Sequence, residues 1–178
     1  LVVHEWGTFT SLQDEQGRSI GGLNSDDEPL PPFVHRFSDG LIAGDFSFSK
    51  GVPALDPGVT LRLETPVIYF YPPDPKPMTI DVSATFNGGL LTEFYPNAEK
   101  TLDAQSIKGP RIGASANMRG GLVWRHVTLA PNPNVPSTDS HVWLAPRTVK
   151  ATSVSVGAEV ERYLFYRGIG HLDAPLRV

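Results

Sequence analysis

The stretch Leu61-Arg-Leu-Glu-Thr-Pro-Val-Ile-Tyr-Phe-Tyr-Pro72 is the densest run of apolar and aromatic side chains in the sequence, and we place the centre of the core there. β-Branched and aromatic residues dominate the run, which favours a strand over a helix. Pro66 lacks the N–H group that a central strand needs, so the strand must kink or lie at a sheet edge at that point. We therefore predict two short strand halves joined by a kink.

The composition of the rest of the chain indicates many turns and short strands. The 178 residues include 17 glycines and 17 prolines, and no stretch shows apolar residues at helical spacing over three turns. A chain of this length can bury one substantial core. We predict an all-β protein with a single domain over residues 1–178. Its expected architecture is a two-layer antiparallel β-sandwich of the jelly-roll or immunoglobulin-like kind, with long loops and little helix.

Charge and residue usage exclude several classes of function. The net charge is −4, which gives no basic surface for nucleic acid, and the absence of cysteine excludes disulfides and thiolate chemistry. No apolar stretch is long enough to span a bilayer. The sequence begins at Leu1 without an initiator Met or a leader segment, and it ends at Val178 without a polar tail. We expect a processed or truncated chain that is the N-terminal part of a longer protein.

The clearest alternation of apolar and polar residues lies between Met78 and Phe86. Asn87-Gly-Gly89 follows it, and Asn-Gly favours the positive φ angles of a tight hairpin turn. We predict that this strand pairs with a returning strand over Leu90–Tyr95.

Further strands are predicted from shorter patterns. A first strand covers Leu1–Ser11, and a later one lies around Trp143 in His141–Leu144. Another pair, Val149–Val156 and Val160–Tyr166, is expected to meet through Gly157-Ala158. The remaining strand covers Leu122–Ala130, and the segment 97–121 is interpreted as a long excursion without an element of its own.

Three segments resemble a family of exported bacterial proteins of planctomycete and verrucomicrobial type. They are His4-Glu-Trp-Gly-Thr-Phe-Thr10, Leu63-Glu-Thr-Pro-Val-Ile-Tyr-Phe-Tyr-Pro72 and Tyr163-Leu-Phe-Tyr-Arg-Gly-Ile-Gly170. The resemblance implies a secreted or periplasmic protein whose relatives are often longer, and it supplies no activity. The loop from Glu15 to Pro32 is unlike the aromatic-containing loop at that place in the family.

Histidines are the first candidates for a metal site. His4, His126 and His141 are candidate zinc ligands, and Glu5, next to His4, is a candidate ligand or general base. No two histidines have the local spacing of a helical zinc motif, so such a site would be assembled from separate strands. The alternative is that these histidines are solvated or structural. Asn24-Ser-Asp-Asp-Glu28 could bind calcium, with a solvated acidic loop as its alternative.

Each tryptophan shares a predicted strand face with a histidine. The pairs are His4 with Trp6, Trp124 with His126, and His141 with Trp143. If exposed, Trp6, Trp124, His126 and Trp143 would form a surface that stacks on sugars or grips a protein partner. The alternative is that each tryptophan is a core residue with its indole N–H hydrogen-bonded.

The sequence contains no catalytic motif, and the leading hypothesis is a non-catalytic exported domain. It would act as a scaffold or as a module that binds protein or glycan, with no cofactor. The alternative is a metal-dependent hydrolase built on His4, His126 and His141 with Glu5. A third hypothesis is an accessory subunit of a cell-envelope complex, which predicts a contiguous exposed apolar patch.

Overall fold

The protein is an all-β sandwich, as the turn-rich and helix-poor sequence predicts. The computed structural model describes residues 1–23, 29–37, 59–103 and 118–172. A large sheet and a smaller one face each other, and a single short helix covers part of the outer side of the large sheet.

The strands are numbered in chain order. They are β1 (Val2–Trp6), β2 (Phe9–Thr10), β3 (Leu12–Gln13), β4 (Ser19–Ile20), β5 (His35–Arg36), β6 (Leu61–Leu63), β7 (Val67–Tyr71), β8 (Met78–Asn87), β9 (Gly89–Tyr95), β10 (Glu99–Asp103), β11 (Arg119–Leu129), β12 (Val154–Val156), β13 (Glu159–Glu161) and β14 (Leu164–Gly170). The helix α1 (His141–Leu144) is followed by a 3-10 turn over Pro146–Thr148.

The large sheet is arranged around β14, and all of its pairings are antiparallel. One edge of β14 pairs with β7 and then with β6, while the other edge pairs with β9, which in turn pairs with β5. β1 pairs with β7, and β2 pairs with β6. In the smaller sheet β11 is central, with β8 along one edge and β10 and β12 along the other; β12 also pairs with β13.

The main core lies between the two sheets. It joins apolar side chains of the large sheet, among them Ile68, Phe70 and Leu164, to Leu122 and Trp124 of the smaller one. A second cluster packs on the outer side of the large sheet. Its members are Val34, Val67, Tyr69, Tyr95, Trp143, Ala151, Tyr163 and Phe165.

The predicted kink in the central run is confirmed, and it has a matching break in the neighbouring strand. The run forms β6 and β7, with Glu64-Thr-Pro66 between them. The predicted first strand is also broken, into β1 and β2, at Gly7-Thr8. The two breaks lie side by side, because the Glu64 N–H donates to the Thr8 carbonyl and a Cβ on Gly7 would lie 2.9 Å from Pro66 Cα. Gly7 therefore permits a close approach that no other residue allows.

The predicted hairpin between Met78–Phe86 and Leu90–Tyr95 is wrong. The chain does turn there, with Gly88 at φ +82°, but β8 pairs with β11 while β9 pairs with β14 and β5. No ladder joins β8 to β9 in the part of the chain that the structure describes. The Asn-Gly turn carries the chain from one sheet to the other, because the apolar faces of both strands bury more surface in the core between the sheets.

The predicted strand over His141–Leu144 is also wrong, because these residues form α1. The N–H groups of Trp143 and Leu144 both donate to the Ser140 carbonyl, and Pro146 begins the 3-10 turn that follows. A single helical turn places Trp143 on the outer face of the large sheet and leaves Leu144 in solvent. Four residues are too few for a periodic pattern to distinguish a helix from a strand.

The pairing through Gly157-Ala158 is confirmed for β12 and β13. The predicted second strand of that pair extends too far, because Leu164 onward belongs to β14 in the large sheet. The predicted strand over Leu122–Ala130 corresponds to β11, and part of the expected excursion over 97–121 forms β10. No helix among the described residues is long and apolar enough to cross a membrane.

Candidate binding site

The N-terminal strand β1 differs from every other strand of its length in the structure, because all five of its residues are exposed. The exposed apolar residues concentrate in β1 and β2: Trp6 is 74% exposed, Phe9 68%, and Leu1, Val2 and Val3 about half. β7 covers one edge of β1, and no described strand pairs with its other edge. Within the described residues, the sandwich therefore ends in an apolar edge without a partner strand.

The side chains of β1 point alternately to the two faces of the large sheet. Val3 lies opposite Phe70 and Glu5 opposite Ile68, both of which are core residues, so Val3 and Glu5 are on the inner face. Val2, His4 and Trp6 lie opposite Tyr71, Tyr69 and Val67 and are on the outer face. Apolar side chains are thus exposed on both faces of one strand.

The outer face of this edge carries the His4–Tyr71 ring pair and the Trp6 side chain, which we together call the aromatic platform. The His4 ring lies 5.0 Å from the Tyr71 ring at an interplanar angle of 57°. Trp6 is on the same face as His4, as the sequence predicted. The platform combines a flat exposed indole with a polar imidazole, which suits both a sugar ring and a protein side chain.

Glu5 ties the edge strand to the interior. Its carboxylate accepts a hydrogen bond from the Tyr166 hydroxyl, and Tyr166 is a buried residue of the main core. Burial raises the pKa of the Tyr166 hydroxyl well above its usual range, and the bond to Glu5 raises it further. Glu5 therefore holds β1 in place.

A small cavity lies beside the platform on the same outer face. It has a volume of about 30 Å³, which is room for a water molecule or a small apolar group. Val67 and Phe165 line it, and Trp6, Val67 and Phe165 are consecutive partners across β1, β7 and β14. Val142 and Arg167 also contribute to its wall. The cavity is separate from the exposed edge, because Val67 and Phe165 are buried and Trp6 does not line it.

The other two tryptophans are core residues. Trp124 is fully buried and its indole N–H donates to the Pro96 carbonyl at 2.8 Å. Trp143 is 3% exposed and its indole N–H donates to Glu161 Oε2 at 2.8 Å. This is the alternative that the sequence left open for them. Neither indole is at the surface, so of the three tryptophans only Trp6 can contact a partner in this conformation.

His126 lies on the smaller sheet, in a β-bulge of β11 between Trp124 and Val127. Its φ is +54° and its side chain is 85% exposed, while its backbone N–H donates to Asp81 Oδ1 at 2.7 Å. That hydrogen bond lowers the pKa of Asp81 below its usual value. The bulge keeps Trp124 and Val127 both in the core and turns His126 outward, so the two members of the predicted Trp124–His126 surface face opposite ways.

The structure does not bring the candidate metal ligands together. His4 and Glu5 are on opposite faces of β1, His126 is on β11 of the other sheet, and His141 begins α1. Across residues 1–23, 29–37, 59–103 and 118–172, no group of three or more His, Asp or Glu side chains is placed to hold a metal ion. The candidate calcium loop, Asn24–Glu28, lies outside the described residues.

Sequence reasoning missed Val2, Val3 and Phe9 as surface residues. The available signal was that apolar residues occupy both alternating positions of the first strand, which normally indicates burial on both faces. Only the position of β1 at the sheet edge leaves them in solvent.

Comparison with known proteins gives no relative from which a function can be transferred: no family model, no curated protein and no solved structure matches the chain.

Proposed function

We propose that this protein is a non-catalytic, exported β-sandwich module that binds a protein or glycan partner through the open edge formed by β1 and β2. The observation that carries the proposal is the exposure of Trp6 and Phe9 together with Val2 and Val3 along one continuous edge. Large apolar side chains concentrated at one exposed edge, rather than scattered singly, mark interaction sites in soluble proteins. Export to the periplasm or the cell exterior is proposed on the resemblance of three segments to an exported family.

Two features of the edge support binding rather than incidental exposure. Natural edge strands are usually protected by lysine, proline, a bulge or an inward-pointing charge. β1 contains no lysine, proline or bulge, and its one inward-pointing charge, Glu5, is engaged by the Tyr166 hydroxyl. The strand is also anchored from within by the Glu5–Tyr166 hydrogen bond, so the side chains of its outer face are presented on a fixed backbone. A rigid aromatic anchor at the surface is typical of residues that dominate binding energy.

The same patch supports the hypothesis of an accessory subunit in a cell-envelope complex, which is a protein-binding role. In that role the edge would be covered permanently rather than transiently. Both versions place Trp6 in contact with the partner.

The fluorescence of Trp6 can test the proposal, because the other two tryptophans are buried and shielded from a quencher. In the free protein we expect acrylamide to quench the Trp6 fraction of the emission and to leave the remainder. A partner added from a panel of apolar peptides and soluble oligosaccharides should shift this fraction to shorter wavelength and protect it from quenching. Trp6→Phe should remove the signal, and Leu144→Lys, which changes an exposed apolar residue elsewhere, should keep it.

The proposal is overturned if no member of either class protects Trp6, or if Trp6 is not quenchable in the free protein. Circular dichroism of Trp6→Phe serves as the folding control, and its spectrum should match that of the wild type.

A further inference from the structure

We infer that the occupant of the open edge is an extended polypeptide strand from another protein, which adds to β1 and enlarges the large sheet. This inference rests on the proposed function and narrows it to one class of partner. Its basis is the combination of an unpaired backbone edge with apolar side chains on both faces of that edge.

The backbone of β1 is suited to a strand. In an antiparallel pair alternate residues direct their N–H and C=O groups to the partner, and the residues between them direct theirs away. β7 pairs with one edge of β1. The backbone N–H and C=O groups of Val2–Trp6 that point away from β7 are therefore available to an added strand. An extended segment of about five residues would satisfy them, which is the usual mode of strand addition.

The exposed side chains of the edge also favour a polypeptide strand as the occupant. On the outer face Val2 and Trp6 are exposed, and on the inner face Leu1, Val3 and Phe9 are exposed. A sugar stacks on one aromatic face and would leave the opposite side of the strand in water. A polypeptide strand places alternate side chains on both faces and can cover both apolar sets at once.

The charge of the edge favours an apolar strand. Glu5 is the only acidic residue of β1, and its carboxylate is engaged by the Tyr166 hydroxyl. The edge therefore presents no carboxylate that is directed toward a basic partner. A strand with alternating or continuous apolar residues complements it better than a charged one.

The edge strand β8 of the smaller sheet differs from β1 in how its apolar side chains are covered. β8 also has one edge without a described partner, but its inward residues Ile80 and Val82 pack against the core and its outward residues, such as Asp81 and Ser83, are polar. At β1 the inward residue Val3 is about half exposed. Of these two edges, β1 leaves the inner face open and β8 covers it, so an added strand would bury more apolar surface at β1.

The probe is a fluorescent peptide with the sequence of β7, Val-Ile-Tyr-Phe-Tyr, flanked by charged residues for solubility. This sequence already pairs with β1 along its other edge. We expect binding to raise the anisotropy of the peptide and to protect Trp6 from acrylamide. The same peptide with N-methyl groups on alternate amides should bind at least about tenfold more weakly, because it keeps the side chains and loses the backbone hydrogen bonds.

Variants of the edge complete the test. Val3→Lys should weaken binding by about tenfold or more, because a charge on the inner face would have to be buried beside the added strand. Val2→Lys makes the same test on the outer face in case Val3→Lys disturbs folding. Leu144→Lys is the matched control, and it should bind the peptide as the wild type does.

Three outcomes would overturn the inference. Equal binding of the N-methylated peptide would show that backbone pairing is not involved. Protection of Trp6 by an oligosaccharide but not by the peptide would remove the strand and leave the proposed binding function standing. A concentration-dependent dimer of the free protein that Val3→Lys abolishes would identify the occupant as a second copy of this chain.

Discussion

Trp6, Trp124 and Trp143 experience three different environments in this protein. The indoles of Trp124 and Trp143 each have one buried hydrogen-bond acceptor, a backbone carbonyl for Trp124 and the Glu161 carboxylate for Trp143. Trp6 has only the edge of a sheet beneath it. The free energy that Trp6 would gain by burial is not used in folding, so it remains available for binding.

Among the charged residues that the structure describes, Glu161 is the most deeply buried. Its environment explains how the core tolerates it. The carboxylate accepts hydrogen bonds from the Trp143 indole, the Arg147 guanidinium and the Arg162 backbone N–H. Arg147 Nη2 lies 2.7 Å from Glu161 Oε2. A buried charge with this many donors is satisfied, and it becomes costly only when a partner is removed.

We therefore predict that Arg147→Ala lowers the free energy of unfolding by about 3–5 kcal/mol, because it leaves Glu161 buried without its cation. Urea denaturation followed by circular dichroism measures the loss. Arg125→Ala removes exposed ion pairs with Glu99 and Asp81 and should cost far less, because water screens both pairs. Similar losses for the two variants would contradict the assignment of Glu161 as a buried ion.

At the level of elements, the breaks in adjacent strands compensate for one another. The Arg167 side chain in β14 donates to the Glu64 carbonyl between β6 and β7, and the Tyr166 N–H donates to the Pro66 carbonyl. Both donors lie in β14, which therefore bonds the kink from one side, while the Thr8 carbonyl accepts the Glu64 N–H from the other side. The kinked segment is thus hydrogen-bonded on both of its sides, which supports the attachment of β1 through β7.

A second contact between elements joins the two sheets. His35 Nε2 in β5 lies 2.8 Å from Glu159 Oε1 in β13, and Glu159 Oε2 accepts the Asn97 N–H at 2.6 Å. The His35 ring also stacks on Phe94. This contact closes the sandwich at the edge that contains β5 and leaves the edge that contains β1 open.

A double-mutant cycle of His35→Ala and Glu159→Ala should give a coupling free energy of about 0.5–1 kcal/mol, because both side chains are partly exposed and the pair is screened by water. Thermal unfolding of the four proteins at one pH measures it. High salt should reduce the coupling. Additive effects of the two substitutions would show that the contact does not hold the sheets together.

For the molecule as a whole, burial of the tyrosines makes the folded state less stable at alkaline pH. The pKa values of Tyr69 and Tyr95 are raised to about 12, chiefly by burial and further by nearby charges. Burial also raises the pKa values of Tyr163 and Tyr166. Because folding favours the neutral phenols, their contribution to stability is complete below pH 10, the ordinary value, and is lost as the pH rises through 12.

The ultraviolet absorbance of phenolate measures this effect. We expect most tyrosines of the folded protein to titrate late and together with alkaline unfolding, while the chain in guanidinium titrates near the ordinary value. Phenolate formation at the ordinary pH for all five tyrosines of the folded protein would contradict the burial described for four of them.

The all-β class and the kink at Pro66 were predictable, because strand alternation and the missing N–H of proline act within a few residues. The partner of each strand was not predictable in the same way. Asn87-Gly-Gly89 does form a turn, yet a turn determines only that the chain reverses and not which sheet the next strand joins. The helical turn around Trp143 was missed because its conformation depends on the surface it covers.

The same distinction between local and tertiary information applies to the candidate site. The sequence by itself determined that His4 and Trp6 share a strand face and that Trp6, Trp124 and Trp143 are the large anchors, because these depend on residue type and on the two-residue period of a strand. Tertiary structure alone decided which anchor faces water. Burial is a sum over neighbours that are distant in sequence, so β1 is exposed only because the sheet ends there and the inner face is left open at that edge.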